Sequence, residues 1–443
     1  MSSTQQSQLG TFSTLSIGIG GMVGGGIFAV TGLTVELTKG AAPIAFMVAG
    51  VVALLTSYSY LKLTLKFPSE GGTVEFLNRG FGTGIITGSA NVLLCLSYVV
   101  LLSVYAYAFG SYGASFFPRA EQDFWRHVLI TGVVVALAFL NFFGANLVVR
   151  SENFFNAAKM ILLAVFVFFG LSTPMDWNRL APENFVSPLA LVSGAMIIFL
   201  NYEGFELIAN AAKDVRNPQR SLPIAYLGGV LLVMGFYVLI GLVVVGHMGF
   251  DEVAKVSDYV LSVTAKSFMG TFGFNMIVVA ALLATSSAIN ATFYGSGRLT
   301  YNIAKTGELP EELERDIRGQ PLEGMIIFAV LTLIMANFIP LHAIATMGSA
   351  GFLLIFMAVN LANVRLAKQT QSMVWISLLG AVACAIALFV LCLEVEENPA
   401  SKNQLWILIG MILASVFTEV IYRGVTKREI HMGRARDSGS GTG

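Results

Sequence analysis

Charge is what this sequence has least of. Asp, Glu, Lys and Arg make up 12% of its 443 residues, where soluble domains carry about 25%, so an ordinary water-facing surface cannot be built from it. The charges also cancel, 26 basic against 26 acidic, which removes the electrostatic basis for a nucleic-acid partner. Histidine is nearly absent. His127, His247, His342 and His431 stand far apart, without an HExxH or other paired ligand spacing, so neither a metal centre nor the convergent groups of a membrane-embedded enzyme can be read from them. The three cysteines, Cys95, Cys384 and Cys392, fall singly inside apolar runs and form no CxxC pair, which is how packing residues are distributed. No cofactor is implied. The opening residues MSSTQQSQLG hold no basic stretch, and no small-residue cleavage site follows the first apolar run, so a removable signal peptide is not expected. No polar tract is long enough for a second domain; the longest soluble connection expected is 297–321.

What is present is apolar length. Hydrophobic residues supply 56% of the chain, and they come in runs. A spanning helix needs about 20 mostly apolar residues to cross about 30 Å of hydrocarbon. That criterion gives twelve candidate spans, at 11–35, 42–65, 84–113, 125–145, 147–171, 188–211, 223–247, 270–295, 322–339, 342–364, 373–393 and 404–422. The expectation is a single-domain, all-α integral membrane protein with 12 transmembrane helices in a lipid bilayer. If the N-terminus is inside, the opposite side holds only Lys39, Arg119, Arg126, Arg179, Lys255, Lys266 and Lys402, and Lys159 falls within a span; every other Lys and Arg is cytoplasmic. The positive-inside rule therefore places both termini in the cytoplasm, as for a multi-pass protein of the cell membrane. The tail RARDSGSGTG has a disordered composition.

Two spans are built against helix formation. In the first, GIGGMVGGGIFAVTG at 18–32, six of the first nine residues are glycine. In the sixth, IIFLNYEGFELIANAAKD places Asn201, Glu203, Gly204 and Glu206 at the centre. Interrupted segments at matching positions of two halves point to an inverted-repeat transporter with its site at the repeat interface. An unwound stretch frees N–H and C=O groups that hydrocarbon penalises by several kcal/mol each unless something satisfies them. The half-helix after the glycines offers N–H groups and a positive dipole end to a carboxylate, and the preceding carbonyls suit an ammonium. An α-amino acid carries both. Close helix packing at Gly20 and Gly24 is the competing explanation, but it leaves the contiguous Gly24, Gly25 and Gly26 and the coincident break in the sixth span unaccounted for. A phosphate-binding loop is excluded: the third glycine of GxGxxG is Val23, and no GK[ST] follows.

GGGIF in span 1, NFFGANLVVRSENFFNAAKM entering span 5, NYEGFELIANAAKDVRNPQRSLPIA across span 6 and its loop, and ATSSAINATFYGSGRLTYNIAKTGELP from span 8 resemble the amino acid-polyamine-organocation (APC) superfamily. The resemblance implies a LeuT-type 5+5 inverted repeat with broken helices 1 and 6, two extra helices, and amino acid transport by alternating access. The division would be 11–171 for the first repeat, 188–364 for the second, 373–422 for the additional helices and 423–443 for the tail. By the same resemblance, N–H groups of Gly24, Gly25 and Gly26 would hold the substrate carboxylate, and carbonyls near Met22, Leu200 and Glu203 its ammonium. Phe199, Leu200 and Tyr202 would line or gate the side-chain pocket, although Leu200 stands where relatives place a bulky aromatic. Unless these aromatics face the substrate they are lipid-facing or core residues.

Lys159 lies about twelve residues from either end of span 5, roughly 18 Å at 1.5 Å per residue, beyond the reach of a snorkelling stem. Intramembrane lysines face cavities or proton paths, and burial disfavours the charged amine, which makes Lys159 a candidate proton switch. Some members of the superfamily carry a lysine here whose amine stands in for a sodium ion. The resemblance would bring Lys159 to the carbonyl of Gly20 and the hydroxyls of Ser286 and Ser287. Permanent pairing with a carboxylate such as Glu152 is the structural alternative. Glu203 or Glu206 could instead carry the proton, Glu203 could recognise a cationic side chain, and Glu206 could merely hold the broken helix. The expected function is secondary active, proton-coupled and sodium-independent amino acid symport. An obligate exchanger, or a non-transporting sensor or channel on the same fold, is the alternative, although a channel's rings of like charge are not found.

Overall fold

The computed structural model describes residues 9–69, 71–143, 146–305, 322–397 and 402–426. No strand occurs among them; the only extended pairing is at the isolated bridges Leu9–Val215 and Lys39–Phe185. The chain enters through α1 (Thr11–Met22) and α2 (Gly26–Thr38), which are bent by 47° across the glycines. Lys39, in a positive-φ conformation (φ 48°), ends α2. α3 (Ala42–Lys66) starts with a proline in its first turn, where the missing N–H has no intrahelical acceptor to lose. The amphipathic α4 (Thr73–Phe81) leads into α5 (Ile85–Ala114), and α6 (Gln122–Phe143) and α7 (Asn146–Ser172) complete the first half.

Ser187 caps α8 (Pro188–Ile198) through the N–H of Ala190 at 3.2 Å. A 3-10 segment, Phe199–Glu206, then joins it to α9 (Leu207–Asn210). Asn217, left-handed at φ 53°, turns the chain into α10 (Pro218–Pro223), which passes through a π turn into α11 (Gly229–His247). After α12 (Phe250–Lys255) comes α13 (Val260–Lys305), which is two helices divided at Gly270 (φ 63°, ψ −153°). α14 (Leu322–Phe338), α15 (Leu341–Arg365), α16 (Ala367–Thr370), α17 (Val374–Glu397) and α18 (Lys402–Thr426) close the chain.

Among the described residues, 10 helices are long and apolar enough to cross a membrane, and 11 if α1 and α2 count as one broken span. The remaining expected span, 322–339, is the 17-residue α14, too short for that criterion. The expected soluble connection 297–321 is corrected at its start. GRLTYNIAK continues α13 to Lys305, because the apolar periodicity of that helix runs on through Leu299, Ile303 and Ala304, of which Ile303 and Ala304 are fully buried; residues 306–321 lie outside the described residues.

Burial separates the inner helices from the outer ones. α5 buries 83% of its apolar window and α6 only 17%, so α5 stands at the centre of the bundle. α6 and α18 instead turn Phe124, Phe139, Trp406 and Phe417 outward, as helices at a lipid boundary do. Gly82 (φ 79°, ψ −177°) between α4 and α5, and Gly270 within α13, share a backbone conformation essentially confined to glycine. Each joins a short helix to a long spanning one.

At the centre, α1 meets the 3-10 segment backbone to backbone. A Cβ on Gly204 would overlap the backbone of Gly21 and Met22, and one on Gly21 would lie 2.9 Å from the Gly204 carbonyl oxygen. Part of the glycine content of span 1 therefore serves close approach, the packing use that its GxxxG spacing offered. Gly204→Ala should cost about 1–3 kcal/mol through overpacking and lower the detergent-solubilised melting temperature. Gly132→Ala, where an added Cβ meets nothing within 4 Å, should leave it unchanged or raise it.

Candidate functional site

The first break frees backbone groups at two facing helix ends. The first N–H of α2 to find an intrahelical acceptor belongs to Ala29, bonded to the Gly25 carbonyl at 3.1 Å. The N–H groups of Gly25 to Phe28 thus form the free, positive end of the half-helix. On the other side, α1 ends with the N–H of Val23 on the Ile19 carbonyl at 2.7 Å, and the Met22 carbonyl accepts the Tyr237 hydroxyl at 2.6 Å. Tyr237, on α11, is a site residue that sequence reading missed. Nothing in the local pattern of an all-apolar helix distinguishes it.

The second break is a 3-10 helix eight residues long; such runs rarely exceed three or four residues and often mark functional positions. With three residues per turn, its side chains fall on three faces. Phe199, Tyr202 and Phe205 form the first. Phe199 meets Phe356 edge to face and Phe205 packs on it tilted, with centroids 5.8 and 5.2 Å apart, and Tyr202 donates to the Phe46 carbonyl at 2.8 Å and packs on Tyr237. Leu200, Glu203 and Glu206 form the second, toward α5 and α15. The Leu200 side chain lies over Gly348, and its N–H donates to Ser349 Oγ at 3.3 Å. Asn201 and Gly204 form the third, against Gly26 and Gly21 of the first break.

On the second face both carboxyls are buried, Glu203 at 1% and Glu206 at 2% exposure, close enough for each to act on the other electrostatically. Glu206 accepts Thr73 at 3.0 Å, Tyr60 at 3.1 Å and Tyr98. These donors come from α3, α4 and α5, so Glu206 ties three neighbouring helices to the break. Glu203 Oε1 has no hydrogen-bond partner among the described residues.

Glu203 also lines a cavity of about 50 Å³ with Gly20, Gly21, Tyr98, Tyr105, Ser287 and Thr292. At about 10–15 Å³ of such volume per water, it has room for several waters. Lys159, 1% exposed, reaches from α7 and donates its Nζ to the Gly20 carbonyl at 2.9 Å. The structure thus brings together Lys159, Gly20, Ser287, Glu203 and Glu206. Ser286 is half-buried and does not line the cavity; neither do Phe199, Leu200 or Tyr202, whose side chains are engaged as described. Gly24 and Gly25 lie against Tyr105, an added Cβ on Gly25 falling 2.7 Å from its ring. The Glu152 side chain lies outside the described residues.

A bundle of membrane-length helices with two broken, polar segments packed against each other has the architecture of a membrane transporter. Residues 9–417 match the family described as amino acid permease, and the chain belongs to that family. It is 32% identical over 95% of its length to an uncharacterized protein of Methanocaldococcus jannaschii, of which 96% is covered. It is 30% identical to the inner membrane transport protein YbaT of Escherichia coli, with 94% of this chain and 97% of the relative covered. The branched-chain amino acid permease BcaP of Bacillus subtilis shares 22% identity with 93% of both chains covered. The chain is therefore a multi-pass membrane transporter of the APC superfamily, a family of transporters.

Tyr98→Phe removes a hydroxyl from the Glu206 cluster and should cost about 1–3 kcal/mol, the range for leaving a buried acceptor without its donor. In thermal melts its effect should be non-additive with Glu206→Gln by at least about 0.5 kcal/mol; additive losses would mean that the two side chains are independent.

Proposed function

We propose that this protein is a proton-coupled, sodium-independent amino acid symporter that works by alternating access. The observation that carries the reading is the Lys159 Nζ to Gly20 carbonyl bond of 2.9 Å at the end of α1. A protonated amine there binds the negative end of the first half-helix and fills the role of a cation between helices. Losing the proton weakens that bond from charge-assisted to neutral, which biases the position of α1 against its neighbours. Coupling follows if substrate and proton favour the same arrangement of α1.

In this reading the substrate carboxylate takes the N–H groups of Gly24, Gly25 and Gly26, and its ammonium the carbonyls near Met22, Leu200 and Glu203. Tyr237 already uses one lone pair of the Met22 carbonyl, so it fixes that oxygen in place and leaves the second lone pair for the ligand. The Glu203–Glu206 pair is a second proton site on the same break, and it orders the 3-10 segment against α3, α4 and α5.

We further read the chain as twelve spans, with α14 the shortest, both termini cytoplasmic in the cell membrane, and residues 11–171 and 188–364 as inverted repeats followed by two extra helices. The glycine joints at Gly82 and Gly270 support the repeat, because each links a short helix to a long one at the corresponding place in its half.

Uptake of a mixture of radiolabelled amino acids into proteoliposomes should accumulate only with an inward proton gradient, independently of sodium. Lys159→Ala should reduce it at least tenfold. Gradient-dependent uptake that survives Lys159→Ala but is abolished by Glu203→Gln would move the proton to the acid pair, gradient-independent uptake would remove the coupling, and uptake only into vesicles preloaded with amino acid would make the protein an exchanger.

A further inference from the structure

The break holds a polar side chain that the packing does not account for. Asn201 is 3% exposed, and both its carboxamide nitrogen and oxygen lack hydrogen-bond partners among the described residues. A carboxamide offers two donors and an acceptor, and leaving such a group unsatisfied in an apolar interior costs about 1–3 kcal/mol. The side chain is also directed. On the 3-10 segment Asn201 shares its face with Gly204, and its Oδ1 lies so close to the first residue of α2 that a Cβ on Gly26 would overlap it. Two independent features therefore converge on one point: the free N–H groups of α2 and a buried, unpartnered carboxamide aimed at them. The glycine at 26 is what admits the carboxamide to the helix end.

We propose that Asn201 is a substrate-contacting residue, the side-chain member of a site otherwise made of backbone. With the carboxamide turned by a half-rotation that exchanges its oxygen and nitrogen, Nδ2–H donates to one oxygen of a bound α-carboxylate whose other oxygen takes the N–H groups of α2, and Oδ1 accepts from the adjacent ammonium. The inference rests on the amino acid reading of the break and adds the group that requires an ionised carboxylate beside a donor on one α-carbon. A hydrogen-bonding site of this kind rejects ligands that leave its polar groups unpaired more strongly than an apolar pocket rejects extra bulk.

A residue kept for binding and one kept for structure respond oppositely to truncation. Replacing an unsatisfied buried carboxamide by an apolar group is neutral or stabilising to the fold, whereas losing a ligand hydrogen bond weakens affinity. The test uses the amino acid that wild type takes up best from the twenty radiolabelled ones, with binding to purified protein and melting temperature measured on Asn201→Ala and Asn201→Asp. Asn201→Ala should melt at or above the wild-type temperature without ligand and bind about tenfold more weakly. Asn201→Asp, which sets a carboxylate against a carboxylate, should bind at least a hundredfold more weakly. Should the aspartate variant fail to fold, the alanine variant decides alone. Unchanged affinity in Asn201→Ala, or a loss of affinity accompanied by a lower ligand-free melting temperature, overturns the proposal. A wild-type protein that binds none of the twenty overturns the reading beneath it, an outcome distinct from a wild type that binds and a variant that binds equally well.

Discussion

Unpaired backbone in an apolar medium is the constraint on which this structure depends. Hydrocarbon offers no partner to a free N–H or C=O, so a chain that opens two of its helices at mid-depth must bring other groups to them. The structure supplies these from several directions. Tyr237 reaches the Met22 carbonyl, Lys159 the Gly20 carbonyl, and Ser349 the N–H of Leu200 while donating to the Ile197 carbonyl at 3.0 Å. Each donor comes from a different helix, so the breaks hold the bundle together as much as the bundle holds the breaks.

Close approach is the second requirement, and it explains why glycine appears on both sides. Gly21 and Gly204 let two backbones touch, which places the free end of α2 beside the 3-10 segment. Packing and binding are therefore one use of the same residues. Where the glycines end, polar side chains begin: Glu206 collects hydroxyls from three helices, and Asn201 faces α2 with its amide unpaired.

The helices and the breaks were legible from composition, because apolar run length and contiguous glycine are local signals. The contact of Lys159 with Gly20 was legible through resemblance to a superfamily, since a lone lysine at mid-span draws attention to itself. What could not be read was the set of tyrosines. Tyr60, Tyr98 and Tyr237 sit in apolar helices where an aromatic is unremarkable, and only the fold brings their hydroxyls to Glu206 and Met22. The three-sided arrangement of residues 199–206 was hidden for a different reason: the resemblance groups Phe199, Leu200 and Tyr202 around one pocket, whereas the 3-10 period of three places Leu200 on a different face from the other two.

That period also bears on how such a site can diversify. Phe199, Tyr202 and Phe205, then Leu200, Glu203 and Glu206, then Asn201 and Gly204 lie on three different faces, joined where Tyr60 meets both Phe205 and Glu206 and Tyr237 meets both Tyr202 and the Asn201 carbonyl, so a substitution in this segment perturbs chiefly one set of contacts. Under the proposed function, ligand choice, proton chemistry and structural support would be carried on adjacent residues and be adjustable largely one at a time. A sequence lineage could change what it recognises by exchanging every third residue of one short stretch, without rebuilding the helices around it.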